Sequence, residues 1–282
     1  MTNGFARSFD PAVDVGVHGA RTPARGSRLN AARTAGWVAL PWLLPALCAV
    51  LWTLGSHYGW ISAQVLPPPA LVFDTLAAMI RSGELWMHVG ASLSRVAVGF
   101  GVGVALGLLL GGVLGLSRTA EAYVLPAFNA IVQVPVLGWL PFLMIVAGIG
   151  EPLKYILIAH AALVPVTLGT LQGFRQTPDA YREVARVFRF TPSQTIRSVI
   201  LPAAVPVIGT SVRLAFTKAW LTLVVVELVA SSEGLGYLIV YGRQLFQLDL
   251  VLASVLVVGA IGYAADRLLT VVEARLQRGN AH

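Results

Sequence analysis

The sequence predicts an all-α integral membrane protein with about six transmembrane helices. Of the 282 residues, 56% are hydrophobic and only 12% are charged, whereas soluble proteins carry about 25% charged residues. The mean hydropathy is +0.75. Stretches free of Asp, Glu, Lys and Arg also recur along the chain, and several reach the roughly 20 residues that a helix needs to cross a bilayer. We therefore expect most of the apolar surface to face lipid.

The first 35 residues differ in kind from the rest. They contain five arginines and few large apolar side chains, which is typical of a disordered basic tail. The first apolar run begins only at Gly36, too far from the start for a secretory signal, so it predicts an uncleaved first span. This gives a tail over residues 1–35 and a membrane domain over residues 36–282.

Six spans follow from the apolar stretches, and the fifth is unusual because it carries Arg213, Lys218 and Glu227. In chain order the stretches are 34–54, 96–117, 122–150, 155–174, 201–230 and 250–265. Between the first and second spans, an amphipathic stretch over residues 70–80 follows three prolines. That stretch is expected to lie along the outer interface.

The distribution of basic residues predicts the orientation. With the N-terminus inside, the outer side keeps only Arg81, Arg95, Lys154 and Arg243, and most of the 20 basic residues fall on the inner side. Basic loops are retained in the cytoplasm. We expect a multi-pass membrane protein with both termini cytoplasmic.

Composition excludes several classes of function. A net charge of +7 in so apolar a chain is better explained by topology and by contact with membrane lipid than by nucleic-acid binding. The single cysteine, Cys48, excludes an intramolecular disulfide and a Cys-based metal cluster. His160 stands alone in the fourth stretch and is interpreted as a packing residue, so no metal site is expected.

Small residues and prolines mark the second and third spans. In the second, Gly99, Gly103, Gly107, Gly111 and Gly115 align on one helix face. Such a ridge lets another helix approach closely, and packing within one subunit is favoured over a subunit interface.

The third span is interrupted by Pro126, Pro135 and Pro141, with Asn129 and Gln133 between them. Kinked helices with free carbonyls and amide side chains are tolerated in a membrane where they line protein or water. A translocation path and a simple packed kink both remain open.

The loop over residues 177–202 predicts two short helices joined by a turn. Thr177 and Pro178 are interpreted as one helix start, and Thr191, Pro192 and Gln194 have the pattern of a capping box. The first helix is amphipathic. Its apolar side chains are Tyr181, Val184, Ala185 and Phe188, and its arginines on another face are Arg182, Arg186 and Arg189. Such a helix suits either anionic lipid of the inner leaflet or a groove on a partner protein.

The same loop resembles the EAA loop of binding-protein-dependent ABC importer permeases. The sequence reads Glu183-Val184-Ala185, three residues, Arg189, nine residues, Val199, one residue, Leu201-Pro202. The family has Glu-Ala-Ala, Gly, Ile and Leu-Pro at that spacing. Val184 and Arg189 depart from the pattern. A side chain at the glycine position disfavours φ > 0, so we expect the loop to bend slightly elsewhere.

Further stretches resemble one branch of that family, the permeases for nitrate, taurine and aliphatic sulfonates. They are Gln133-Val134-Pro135 through Trp139-Leu140-Pro141, Gly148-Ile149-Gly150-Glu151, Leu201-Pro202-Ala203-Ala204-Val205-Pro206, Ala219-Trp220 through Glu227, and residues 231–239. The resemblance covers about residues 60 to 278.

The resemblance implies a type I ABC importer permease fold, a location in a bacterial inner membrane, and a transport subunit that is not an enzyme. It also implies a homodimer that docks on two ATPase subunits, where ATP and Mg bind, and that meets an external or periplasmic substrate-binding protein. The residues it assigns to ATPase coupling are Tyr181, Arg182, Glu183, Val184, Ala185, Arg186, Phe188 and Arg189. The chain has no Gly-Lys dipeptide and hence no P-loop, so no cofactor is expected in this chain.

Charges within the fifth span suggest what is carried. Arg213 lies about 16 Å along the helix from Pro202, near the middle of a roughly 30 Å hydrocarbon core, where a charge faces a cavity or a partner rather than lipid. Either Arg213, with Lys218, favours an anionic substrate, or it pairs with an acid or a carbonyl. The predicted path comprises Asn129, Gln133, Arg213, Lys218, Trp220 and Glu227.

The predicted function is the translocation of a small anion such as an aliphatic sulfonate, taurine or nitrate. The alternative within the same superfamily is another small solute, such as a thiamine-precursor pyrimidine, a riboflavin-like ring or an aromatic carboxylate. An intramembrane enzyme would need paired titratable groups, and no Ser/His/Asp or carboxylate pair has suitable spacing. A channel would leave the loop over residues 177–202 unexplained.

Overall fold

The computed structural model of the protein describes residues 43–60, 62 and 65–279, with side chains up to residue 275. All regular structure in these residues is helical, which confirms the all-α prediction. The α-helices are α1 (Leu43–His57), α2 (Pro69–Ser82), α3 (Glu84–Leu116), α4 (Arg118–Val132), α5 (Leu140–Ala147), α6 (Glu151–Arg175), α7 (Asp179–Val187), α8 (Pro192–Thr195), α9 (Leu201–Ala230), α10 (Leu235–Gln244) and α11 (Leu248–Gly279). A 3₁₀-helix, Val136–Trp139, precedes α5, and a π-helical turn, Ile196–Ile200, joins α8 to α9.

The chain divides into two compact units, Met1–Leu51 and Trp52–His282. In the first unit the described residues belong to the N-terminal part of α1, an apolar helix with exposed leucines. The predicted basic tail over residues 1–35 lies outside the described residues. The second unit contains the helical core and the site described below.

Four of the described helical segments are long and apolar enough to cross a membrane: α3, α6, the continuous segment α8–α9, and α11. A fifth span is formed if α4 and the helical segment Val136–Ala147 are one broken span, since they are bent by 83° at the break. The predicted first span, 34–54, lies partly outside the described residues, and its described part continues as the shorter helix α1. The prediction of about six spans thus corresponds to four or five in the described residues.

The third predicted span is broken rather than merely kinked, and only one of its prolines causes the break. Pro126 lies inside α4, whereas Pro141 occupies the first turn of α5. In the first turn of a helix the backbone N–H groups have no carbonyl acceptor within the helix, so a proline there breaks no helical hydrogen bond. Pro135 has an extended ψ of 142° and separates the two helical segments. The chain therefore turns at residues 133–135.

The glycine ridge packs within the subunit. A Cβ on Gly103 would lie 2.4 Å from the carbonyl oxygen of Ala159, and one on Gly107 would lie 2.8 Å from the Cβ of Val166. Real side chains do not approach so closely, so α3 and α6 meet backbone to backbone, as small residues allow in membrane helices. This confirms the packing interpretation for the ridge.

The hydrophobic core lies where α3, α6 and α9 pack together. Its buried side chains include Val96 from α3, Ile158 and Val166 from α6, and Ala219 and Leu223 from α9. The same three helices supply four of the five charged side chains of the site described below, and the loop after α9 supplies the fifth.

One predicted helix start is confirmed and the other is wrong. Thr191 and Gln194 form the predicted capping box, with the Gln194 N–H donating to the Thr191 hydroxyl at 3.3 Å and the Thr191 N–H to Oε1 of Gln194 at 2.8 Å. Thr177 does not cap α7, which begins at Asp179 after Pro178. Its buried hydroxyl instead lies 3.5 Å from the carbonyl oxygen of Gly173, at the end of α6.

The second short helix of the loop is not separate from the fifth span. Segment Pro192–Ala230 is one helical segment of 39 residues. A proline ring clashes with the carbonyl four residues earlier in a regular α-helix, and for Pro202 that residue is Ser198. Ser198 lies in the π-helical turn, which widens the helix there and keeps it continuous.

Candidate functional site

A cluster of buried charges lies where the N-terminal ends of α3 and α6 meet the C-terminal end of α9. At its centre, Arg95 of α3 is only 1% exposed. Its Nε and Nη2 donate to the two carboxylate oxygens of Glu151 at 2.8 and 2.7 Å, a bidentate pair. Nη1 donates to Oε1 of Glu227 at 2.9 Å, and Glu233 accepts from Nη1 through its carbonyl and from Nη2 through its carboxylate. All five guanidinium N–H groups thus have acceptors, as a buried arginine requires.

Glu227 is the second buried member of this cluster, at 1% exposure. Besides Arg95, it accepts hydrogen bonds from the Ser92 hydroxyl at 2.8 Å and from the Gly236 N–H at 2.9 Å. Lys154 donates to Glu151 at 2.7 Å. Three carboxylates and two cations therefore share the cluster, which leaves one negative charge in excess.

The loop between α9 and α10 folds directly over Glu227, which explains its glycines. Gly234 has φ +112°, and a Cβ there would lie 2.4 Å from Oε1 of Glu227. The Gly234 N–H donates to Nδ1 of His88, and the Leu235 N–H donates to Ser92. The Gly-Leu-Gly run is thus required by the close approach of this backbone to a buried carboxylate.

The sequence placed Glu227 in the translocation path and used Arg95 only as a topology signal. The structure joins the two across 132 residues of sequence. A signal was present: each is a charge in or beside an apolar run, and intramembrane charges usually pair. The sequence alone offered several acids and bases as partners and no means of choosing among them.

The remaining predicted path residues do not gather in one place within this chain. Asn129 is exposed on α4, Gln133 is exposed at the end of that helix, and Lys218 is exposed on α9. Trp220 is buried, at 7% exposure, and stacks on Phe216 inside the bundle.

Arg213 pairs with acids on α11. Its Nε donates to Oδ1 of Asp266 at 2.9 Å, and its Nη1 lies 3.6 Å from Oε2 of Glu273. Thr210 donates to Glu273 at 2.6 Å. The pairing that the sequence left open is therefore present and ties α9 to α11. The Arg213 side chain is 41% exposed, and its role in a path stays a prediction.

The predicted coupling helix, α7, lies at the opposite end of the bundle from the Arg95 cluster. Tyr181, Val184 and Phe188 are 56, 54 and 70% exposed. Ala185 was expected on the same apolar face but is 2% exposed and packs into its own chain. Among the predicted basic residues, Arg182 donates to the carbonyl of Phe174 at 2.8 Å, while Glu183, Arg186 and Arg189 are exposed.

The turn after α7 corrects one expectation. Arg189 itself has φ +53°, so the bend stays at the position where the family has glycine and does not move elsewhere. The N–H groups of Arg189 and Phe190 donate to the carbonyls of Arg186 and Ala185 and hold this turn. An arginine in the left-handed region costs about 1 kcal/mol relative to glycine.

Apolar spans and buried ion pairs within the bundle define a multi-pass membrane protein. Residues 103–278 match the family described as the binding-protein-dependent transport system inner membrane component, and the chain belongs to this family. It is thus an ABC importer permease of the inner membrane, in the branch that includes the sulfonate and taurine permeases.

Two relatives and one solved structure illustrate the similarity. The chain is 39% identical to the aliphatic sulfonates transport permease protein SsuC of Bacillus subtilis, over 83% of this chain and 85% of that one. It is 32% identical to the taurine transport system permease protein TauC of Escherichia coli, over 83% and 86%. A chain of the inward-facing MetNI methionine ABC transporter has the same fold, with a TM-score of 0.57 and 20% identity over 70% of this chain and 96% of that chain.

Proposed function

We propose that this chain forms the membrane path of an ATP-driven importer for a small oxyanion, such as an aliphatic sulfonate, taurine or nitrate. It acts as a homodimer that receives its solute from an external binding protein. Two separate ATPase subunits, which hold ATP and Mg, dock on α7. The single observation that carries the proposal is the exposed apolar face of α7.

That face has the size and shape of a helix-in-groove contact. Helix α7 has nine residues and is about 13 Å long. Its exposed Tyr181 and Val184 occupy one face together with Phe188, the residue directly after the helix. Exposed aromatic side chains of this kind are typical anchors of protein interfaces. Arg186 and Arg189 flank the face and would meet acidic groups at the rim of a groove.

The fold gives such a contact a mechanical connection to the membrane. The turn after α7 leads at once into segment Pro192–Ala230, which is 39 residues of continuous helix and about 58 Å long. Near its far end is Glu227, hydrogen bonded to Arg95. A displacement of α7 by a closing ATPase pair would therefore reach the Arg95 cluster through one continuous helical segment.

The substrate class rests on the relatives and not on Arg213 alone. Relatives carry names that specify aliphatic sulfonates and taurine, and both solutes contain a sulfonate group. Arg213 is already paired with Asp266, so its charge is available to a solute only if that pair opens. The topology proposed here places α7 and both termini in the cytoplasm and the Arg95 cluster outside.

Co-purification with the cognate ATPase tests the proposal. We expect Phe188→Ala to reduce ATPase retention at least tenfold, because truncating an aromatic anchor costs about 2 kcal/mol or more. Phe73→Ala is the matched control, since Phe73 is similarly exposed, at 59%, but lies on α2. Glu183→Lys should prevent assembly or uncouple ATP hydrolysis from uptake. Wild-type retention and coupling in both α7 variants would refute docking at this helix.

A further inference from the structure

A cavity of about 840 Å³ lies at the α7 end of the bundle, between α4, the C-terminal ends of α3 and α6, and the start of α7. Three arginines line it, Arg118, Arg175 and Arg182, together with two acids, Glu121 and Asp179. The lining therefore has one positive charge in excess. None of these residues belongs to the Arg95 cluster or to the exposed apolar face of α7.

The three guanidinium groups differ in how many hydrogen-bond and ion-pair partners they have. Arg175 forms an ion pair with Glu121. Arg182 donates through Nη2 to the carbonyl of Phe174, but its Nε is buried and has no partner in the described residues. Arg118 is exposed and forms no hydrogen bond or ion pair within the described part of the chain. Hydrogen-bond donors thus remain unused on this wall, and a buried unpaired donor costs about 1–3 kcal/mol.

The wall contributed by α4 has a different character. Ala122, Leu125 and Pro126 give it an apolar surface, and Asn129 lies about one turn further along the same helix. A ligand that satisfies both walls carries an anionic head for the arginines and a short hydrocarbon for α4. Guanidinium groups bind sulfonate, carboxylate and phosphate oxygens in the same two-point manner.

We infer that this cavity binds an oxyanion attached to an aliphatic chain. The inference deepens the proposed function and rests on it, because such a site at the α7 end would hold the solute as it leaves the path. The same chemistry is present in the headgroup and acyl chains of an anionic phospholipid. The experiment therefore needs separate arms for the two sources.

Binding is measured on the full chain in nanodiscs, with hexanesulfonate as the soluble probe and hexanol as the uncharged control. One set of discs contains phosphatidylcholine only, and a second set adds phosphatidylglycerol, whose enrichment around the protein is read by native mass spectrometry. Arg118→Gln is the test variant, since Arg118 has no ion-pair partner among the described residues whose charge would be left unpaired. Arg275→Gln is the matched control, because Arg275 is an exposed arginine on α11 outside the cavity.

We expect saturable hexanesulfonate binding in phosphatidylcholine discs that weakens about tenfold in Arg118→Gln, weakens with added salt, and is unchanged in Arg275→Gln. Phosphatidylglycerol enrichment that depends on Arg118, without binding of the soluble probe, would also support the site and identify the lipid as its occupant. Binding that is equal in wild type and Arg118→Gln, or no binding from either source, would overturn the inference. Wild-type ATPase retention and coupling in Phe188→Ala and Glu183→Lys, with hexanesulfonate binding intact, would instead refute the proposed function alone.

Discussion

The Arg95 cluster makes a quantitative prediction about stability, because its carboxylates differ in burial while sharing one arginine. The Glu227 side chain is fully buried, whereas the Glu233 side chain is 49% exposed. Glu227→Ala removes an acceptor of Arg95 and leaves the Gly236 N–H without its partner. Arg95 keeps Glu151 and Glu233 as partners, but each buried donor left without an acceptor costs about 1–3 kcal/mol.

Glu233→Ala is the matched control for that variant. It removes a half-exposed carboxylate but keeps the main-chain carbonyl of Glu233 that accepts from Arg95. We therefore expect a loss of about 0–1 kcal/mol. Glu227→Gln, which keeps an oxygen acceptor and loses the charge, should fall between the two alanine variants.

The measurement is the free energy of unfolding in mixed micelles of dodecylmaltoside and SDS, followed by tryptophan fluorescence. Equal losses in the two alanine variants would show that burial does not set the strength of these pairs. A loss under about 1 kcal/mol for Glu227→Ala would mean that the cluster does not hold α3, α9 and the following loop together.

Three further predictions concern packing, the coupling turn and the path. Gly103→Ala should destabilise the fold by about 1–3 kcal/mol through overpacking. Gly101→Ala, where a Cβ meets none of the described residues within 4 Å, should be neutral in the same titration. Arg189→Gly should raise the thermal midpoint, since glycine adopts the observed φ of +53° without the cost borne by a side chain; an unchanged or lower midpoint contradicts this. Arg213→Ala should lower substrate-stimulated uptake with ATPase assembly intact, and unchanged uptake would remove Arg213 from the path. Recovery of uptake in the double variant with Asp266→Ala would indicate that Arg213 serves only as an ion-pair partner.

Part of the fold was readable from the chain because the signals are local. The apolar stretch 201–230 ends where α9 ends, since hydropathy acts along a single helix, but its start lies within the continuous helical segment Pro192–Ala230. The Thr191 capping box is set by four consecutive residues. The glycine ridge on α3 also followed from its spacing alone, although the sequence did not identify α6 as the helix that packs against it.

Other features depend on which helices meet, and sequence reasoning had no access to that. Thr177 has the residue type of a helix cap, but its place at the end of α6 directs its hydroxyl to the Gly173 carbonyl. The Arg213 charge predicted a partner or a cavity, and only the position of α11 supplied Asp266 as the partner.

The sequence by itself determined that the chain is a helical membrane protein with an amphipathic helix outside the spans, because composition and periodicity act within single segments. Tertiary structure decided the pairing of Arg95 with Glu227, 132 residues apart, and the burial of Ala185 while Phe188 stays exposed. The physical reason is that a buried charge requires a partner of opposite charge close in space. Which residues lie close in space depends on how the helices pack, and not on their order in the sequence.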